Sequence, residues 1–166
     1  DVASQYWNPA KYPFTISRAG VSLNYTPWLR QLVNDIDLAY LVGYYRIGDY
    51  SAVSGSLRYF SLGEVMTSES DDATTINPYE MSIDVAYSLM LSEHFSLGAA
   101  VRWIYSDLSD KYSDDTKPGS AFAADLSCYY QNYLNIGSRE CQLGLGLNIS
   151  NIGSKITMGT ADRSEF

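Results

Sequence analysis

Apolar residues alternate with small or polar ones over stretches longer than an ordinary strand, and this period of two limits the chain's folds more than any other feature. In one stretch Met81, Ile83, Val85, Tyr87, Leu89 and Leu91 are interleaved with Ser82, Asp84, Ala86, Ser88 and Met90. The next sets Phe95, Leu97, Ala99, Val101, Trp103 and Tyr105 against Ser96, Gly98, Ala100, Arg102 and Ser106, with Ile104 breaking the polar face. Five more segments follow the rule, roughly Ile16 to Thr26, Ile36 to Ile47, Tyr50 to Leu62, Ser120 to Tyr133 and Cys141 to Ser150. An amphipathic helix needs apolar residues at i, i+3, i+4 and i+7, and these stretches fail that test. The chain reads as seven β-strands.

The connections alternate in length. Gly48-Asp49, Ser92-Glu93-His94 and the stretch around Gly137-Ser138 are short, whereas Thr26 to Asp35, Gly63 to Pro78 and Asp107 to Gly119 are long and mostly acidic. Strands that cross a membrane bring odd and even loops to opposite sides, and short periplasmic turns with long outer loops characterise outer-membrane barrels. The hairpins also set a register, because a strand's lipid-facing set must pair with its neighbour's. A Ser92-Glu93-His94 turn pairs Leu91 with Phe95, Leu89 with Leu97, Val85 with Val101 and Ile83 with Trp103, and puts Asp84 opposite Arg102. A two-residue Gly48-Asp49 loop pairs Ile47 with Tyr50 and Tyr44 with Val53, which leaves Asp37 diagonal to Arg58. A Gly137-Ser138 turn pairs Cys128 with Leu147 and Cys141 with Leu134, too far apart for a disulfide, so two free thiols are expected.

Alternation alone does not separate a soluble barrel from a membrane barrel turned inside out. The polar face does. A soluble protein would coat it with Lys, Glu and Thr, but here it is Ser, Gly, Ala and Asn with isolated charges at Asp37, Arg58, Asp84, Arg102 and Asp125. Lys11, Lys111, Lys117 and Lys155 all fall outside the strands. Small residues with a few opposite charges suit a crowded lumen, and the five charged residues read as structural ion pairs bracing its wall. The chain is 46% apolar and 14% aromatic with 15 tyrosines, and Tyr25, Tyr44, Tyr79, Phe95, Trp103 and Tyr105 fall near strand ends, as interfacial girdles require.

Composition excludes several classes. Only 18% of residues are charged, too few for a disordered chain. The net charge of −8 argues against nucleic acid, which needs a clustered excess of Lys and Arg. No apolar run reaches the roughly 18 to 20 residues of a helical span. The chain opens at Asp1 without a basic or apolar leader, so any secretory signal is expected outside it. Cys128 and Cys141 lack metal-site spacing, and no cofactor is expected. His94 beside Glu93 reads as a solvated turn residue, with no catalytic order around it. Seven strands cannot close a bacterial barrel, which needs an even number of at least about eight, so an incomplete barrel is expected. The last residues, Ala161 to Phe166, look like an interrupted loop.

Several strings carry a family resemblance: Tyr-Trp-Asn-Pro-Ala-Lys-Tyr at 6–12, Val-Ser-Leu-Asn-Tyr-Thr-Pro-Trp-Leu at 21–29, and Leu-Val-Asn-Asp-Ile at 32–36. Others are Ser-Leu-Arg-Tyr-Phe-Ser-Leu-Gly at 56–63, Gly-Ser-Ala-Phe-Ala-Ala-Asp at 119–125 and Asn-Ile-Gly-Ser-Lys-Ile at 151–156. Nearly end to end, the chain resembles the PorV (LptO) family of the type IX secretion system, within the FadL-like superfamily of outer-membrane barrels. The resemblance implies an all-β, antiparallel transmembrane barrel of about fourteen strands, of which this chain covers the first seven. Residues 1–14 would be a plug or barrel entry, and residues 15–166 the N-terminal half of the barrel.

It also implies a non-enzymatic shuttle in the outer membrane. Such proteins take secreted cargo, by its C-terminal signal domain, from a giant translocon. They pass it to a cell-surface sortase and attachment complex that joins it to lipopolysaccharide. The segment Pro27 to Val33 is more apolar than an outer loop should be, so Trp28, Leu29 and Leu32 are candidate contacts for a partner or the outer leaflet. The acidic runs at 69–72 and 113–115 lack EF-hand spacing and read as solvated loops. Two other functions stay open: transport of hydrophobic small molecules, as in superfamily relatives, and lipopolysaccharide O-deacylation, for which the residues offer little.

Overall fold

A computed structural model describes residues 2–28, 36–63, 65–67, 74–107 and 118–153. The main strands are β1 (Ala19–Trp28), β2 (Ile36–Ile47), β3 (Ser51–Leu62), β6 (Tyr79–Ser92), β7 (Phe95–Asp107), β8 (Gly119–Ile136) and β9 (Arg139–Gly153). They form one antiparallel sheet in that order, a seven-stranded meander. Two short strands, β4 (Val65–Thr67) and β5 (Thr74–Ile76), pair with each other inside the stretch read as an unbroken loop. No described helix is long and apolar enough to cross a membrane.

The sheet is curled, and the N-terminal segment shows how far. It comprises a short helix, Ser4–Trp7, and a 3₁₀ turn, Pro9–Phe14. Within this short piece Tyr12 stacks on Tyr44 of β2, with ring centroids 4.7 Å apart. The Asn8 amide, four residues earlier, donates to the carbonyl of Cys128 on β8 at 2.9 Å and that of Leu147 on β9 at 3.5 Å. One segment can reach both β2 and β9 only if the sheet wraps around it, so the seven strands form half of a barrel wall.

Two faces follow. Val21, Leu23, Leu41, Tyr45, Leu57, Ile83, Val85, Leu89, Leu97, Val101 and Leu147 point outward and are exposed, while Ala52, Ser54, Ser56, Asp84, Ala86, Ser88, Ser96, Ala100 and Asp125 point inward and are buried. Small inner residues are what let a polypeptide segment lie inside the wall. A Cβ on Gly98 would stand 3.0 Å from the Ala10 nitrogen and 2.6 Å from Ser127 Oγ, so this position has room only for hydrogen.

The register agrees with the hairpin reasoning fully at the last of the three short turns, along most of β6 and β7 at the second, and departs from it at the first. Leu89 faces Leu97, Val85 faces Val101, Ile83 faces Trp103 and Asp84 faces Arg102. Beyond Met90 a bulge intervenes, and Ser92 rather than Leu91 pairs with Phe95. Ile136 pairs with Arg139 across a two-residue turn, so Cys128 faces Leu147, Cys141 faces Leu134, and both thiols are free.

At the first hairpin Ile47 pairs with Ser51, not Tyr50, and Tyr44 with Ser54, not Val53. The loop therefore has three residues, Gly48, Asp49 and Tyr50, entered through Gly48 at φ +70°. The reason is the pleat: a one-residue slip moves every side chain to the other face. Only the longer loop matches Leu41 and Tyr45 with Leu57 and Val53 outside, and Val42 and Tyr44 with Ser56 and Ser54 inside. Tyr44 is consequently not a girdle residue. It is 8% exposed beneath Tyr12.

Candidate functional site

The inner wall carries a line of polar groups running across five strands. Asp84 on β6 accepts from the Arg102 Nε on β7, and its other oxygen accepts from Ser56 Oγ on β3 at 2.9 Å. The Arg102 Nη2 reaches Asp125 on β8 at 3.2 Å, and Nη1 donates to the Asn151 side chain on β9 at 3.4 Å. Asp125 also accepts from the backbone N–H of Asn151 at 2.7 Å. Asn151 has φ 61°, the only positive value among the described non-glycine residues, and lies beside the register shift between Ala124 and Leu126. The carboxylate therefore holds a bulge in place, a backbone distortion that an unpaired amide would otherwise leave unsatisfied. One guanidinium, two carboxylates, a hydroxyl and an amide account for each other's hydrogen bonds, which is the requirement for charges in a buried wall.

The other two charged positions differ from the sequence expectation. Asp37 is not in the lumen. The corrected register at the first hairpin turns it to the outer face, where the Tyr25 hydroxyl donates to its Oδ1 at 2.7 Å. Arg58 is in the lumen but pairs with no carboxylate among the described residues. Its guanidinium lies over the rings of Tyr6, 4.5 Å from the centroid, and of Tyr40, its cross-strand neighbour, 5.5 Å away. The diagonal between Asp37 and Arg58 thus does not exist, because the two residues sit on opposite faces.

The N-terminal segment fills the half of the lumen nearest the short turns. Asn8 caps the 3₁₀ turn through the Ala10 N–H at 3.1 Å, and Ser96 Oγ donates to the Ala10 carbonyl. The Tyr12 hydroxyl donates to the Val2 carbonyl and accepts from the Gln5 N–H, both at 2.7 Å. Burial pushes this hydroxyl well above the ordinary tyrosine range, and the Gln5 N–H only partly offsets it. Arg46 ties the exit of the segment to the wall by donating to the Thr15 carbonyl at 2.7 Å.

Pro27 and Trp28 belong to β1, where they pair with Asp37 and Ile36, so the apolar segment is partly strand rather than loop. Leu29 and Leu32 lie outside the described residues, as do the acidic runs at 69–72 and 113–115. At the end of the sheet where the long connections leave, Tyr59, Tyr79, Tyr105 and Trp103 form a continuous outer band with centroid spacings of 5.9, 6.1 and 6.0 Å. His94, at the opposite end, has its Nδ1 3.0 Å from the Gln131 carbonyl. No described group of three His, Cys, Asp or Glu side chains is placed to hold a metal ion.

Sequence reasoning missed Ser56, Asn151, Asn8, Tyr6 and Tyr40. The first two follow from the wall register, and Asn8 has a visible signal as a capping residue before Pro9. Contacts of Tyr6 and Tyr40 with Arg58 depend on the fold of the N-terminal segment and have no sequence signature.

A search of curated proteins finds no match to this chain. The family described as type IX secretion system protein PorV matches residues 1–166. With a half-barrel wall, an outward apolar face and a family match along its whole length, the chain belongs to the PorV family of type IX secretion system proteins.

Proposed function

We propose that this chain is the N-terminal half of a non-enzymatic shuttle in the outer membrane. In this reading it receives secreted cargo by its C-terminal signal domain from the outer-membrane translocon. It then presents that cargo to the cell-surface sortase and attachment complex, beside the lipopolysaccharide that accepts it. The observation that carries the reading is the family match over residues 1–166. The wall geometry supports it. Lumen charges at Asp84, Arg102 and Asp125 are consumed in bracing, and the segment 2–14 acts as a plug across the half nearest the short turns. Partner contacts then fall to the connections that leave from Trp28, Leu62 and Asp107.

Trp28, Leu29 and Leu32 are the proposed contact residues. Replacing Trp28 and Leu29 by Ser in the complete protein is expected to reduce cargo display at the cell surface and co-purification of the translocon. If both stay at the unaltered level while the barrel is present in the outer membrane, these residues are not the contact.

A further inference from the structure

Two arginines meet at the short-turn end of β1 and β2, and among the described residues neither is paired with a carboxylate, since the ion pairs there all belong to Arg102. Arg18, just before β1, is exposed and lays its guanidinium over the ring of Tyr45, 5.7 Å from the centroid. Tyr45 belongs to the exposed outer set of β2, so this charge stands at the rim of the apolar face. Arg46 is the cross-strand neighbour of Arg18, whose carbonyl accepts from the Arg46 N–H at 2.8 Å. Its guanidinium donates to the carbonyls of Thr15 and Asp49, and its Nε is buried without a partner. The two side chains, with Gly48 and Asp49, line a cavity of about 240 Å³.

Directly above this rim the outer face has a furrow. Gly43 of β2 pairs with Gly55 of β3, between Val21 and Val85 of the flanking strands. Glycine in mid-strand weakens a sheet, and it marks a bulge, a bend or the close approach of another group. The register runs without a shift through both glycines. The wall itself leaves space for a side chain: a Cβ would make only ordinary contacts, the nearest at 3.5 Å on Gly43 and 3.4 Å on Gly55. Tyr45, two residues from Gly43 and so on the same face, connects the furrow to the arginines.

A guanidinium without a counter-ion at an apolar rim attracts an anion. A bilayer supplies one already in place, the phosphodiester of a lipid whose chains lie against the outer face. Asp49, whose carboxylate makes no ion pair with either arginine, disfavours a doubly charged head and so selects a phosphodiester over inorganic phosphate. We propose that the first short hairpin binds one anionic phospholipid from the leaflet on the short-turn side. Its phosphodiester sits between Arg18 and Arg46, and an acyl chain runs past Tyr45 into the furrow at Gly43 and Gly55. The site needs the outer face to meet lipid but does not depend on the shuttle role.

The complete protein, purified in a non-ionic detergent without cargo or translocon, is titrated with phosphatidylglycerol, and the lipids retained are counted by native mass spectrometry. One phosphatidylglycerol is expected to be held about tenfold more tightly than a diacylglycerol with the same chains, the worth of one charge-assisted pair. It is expected to stay bound in millimolar inorganic phosphate. Arg18→Gln weakens retention by about tenfold, and because that side chain is exposed and makes no hydrogen bond among the described residues, the barrel still folds. Gly55→Leu fills the furrow without touching the head and weakens retention as well. Equal retention of the two lipids, displacement by millimolar phosphate, or retention unchanged in either variant overturns the proposal.

Discussion

Replacing Arg102 by Met tests whether the polar line across the wall is a brace. The side chains of Asp84 and Asp125 are 3% and 7% exposed and that of Arg102 is 12% exposed, so the trio is shielded from water. In the variant the carboxylates keep the Ser56 hydroxyl and the Asn151 amide, which are present in both proteins and cancel in the comparison. What is lost is the only cation between two buried anions. Removing one partner of a buried pair costs about 3–5 kcal/mol, because the charge left behind is uncompensated. The complete barrel, unfolded in urea from lipid vesicles and followed by tryptophan fluorescence and electrophoretic shift, should therefore lose about 3–5 kcal/mol. The triple variant Arg102→Met, Asp84→Asn, Asp125→Asn removes the stranded charges and should recover much of that loss. A cost for Arg102→Met below about 1 kcal/mol, the range of exposed pairs, refutes the reasoning. So does a triple variant no more stable than the single one.

Two further outcomes follow from the N-terminal segment. Gly98→Val places side-chain atoms where Ala10 and Ser127 already stand, so the segment should leave the wall, and limited proteolysis should cut within residues 2–18 of the folded barrel. The Tyr12 hydroxyl titrates above its ordinary value in the docked state and near pH 10 when the segment is free. The undocked state therefore ionises first, and docking is fully stable below about pH 10 and weakens as pH rises beyond it. The same proteolysis, run from pH 8 to 11, should show cleavage increasing above pH 10 in the native protein and much less pH dependence in Tyr12→Phe.

Much of the wall is legible because its residues obey a local rule. Asp84 opposite Arg102, Leu89 opposite Leu97 and Cys128 opposite Leu147 all follow from alternation and turn length. The rule fails where a turn admits two lengths. Gly48-Asp49 has the composition of a two-residue loop, and Tyr50 joins it only because the faces of β2 and β3 must match. That single residue removed Asp37 from the lumen and Tyr44 from the girdle. The β4–β5 ladder went unread for a different reason: three-residue strands are too short to show a period.

By itself the sequence determined the class, the seven strands of the wall, the two faces of most of them and the family, because each rests on a pattern carried within one strand or one string of residues. Tertiary structure alone decided that Arg58 has rings rather than a carboxylate as partners. It also decided that Asp125 holds the Asn151 bulge and that residues 2–14 lie inside the wall. Those facts depend on groups far apart in the chain, and only the curl of the sheet brings them within hydrogen-bonding distance.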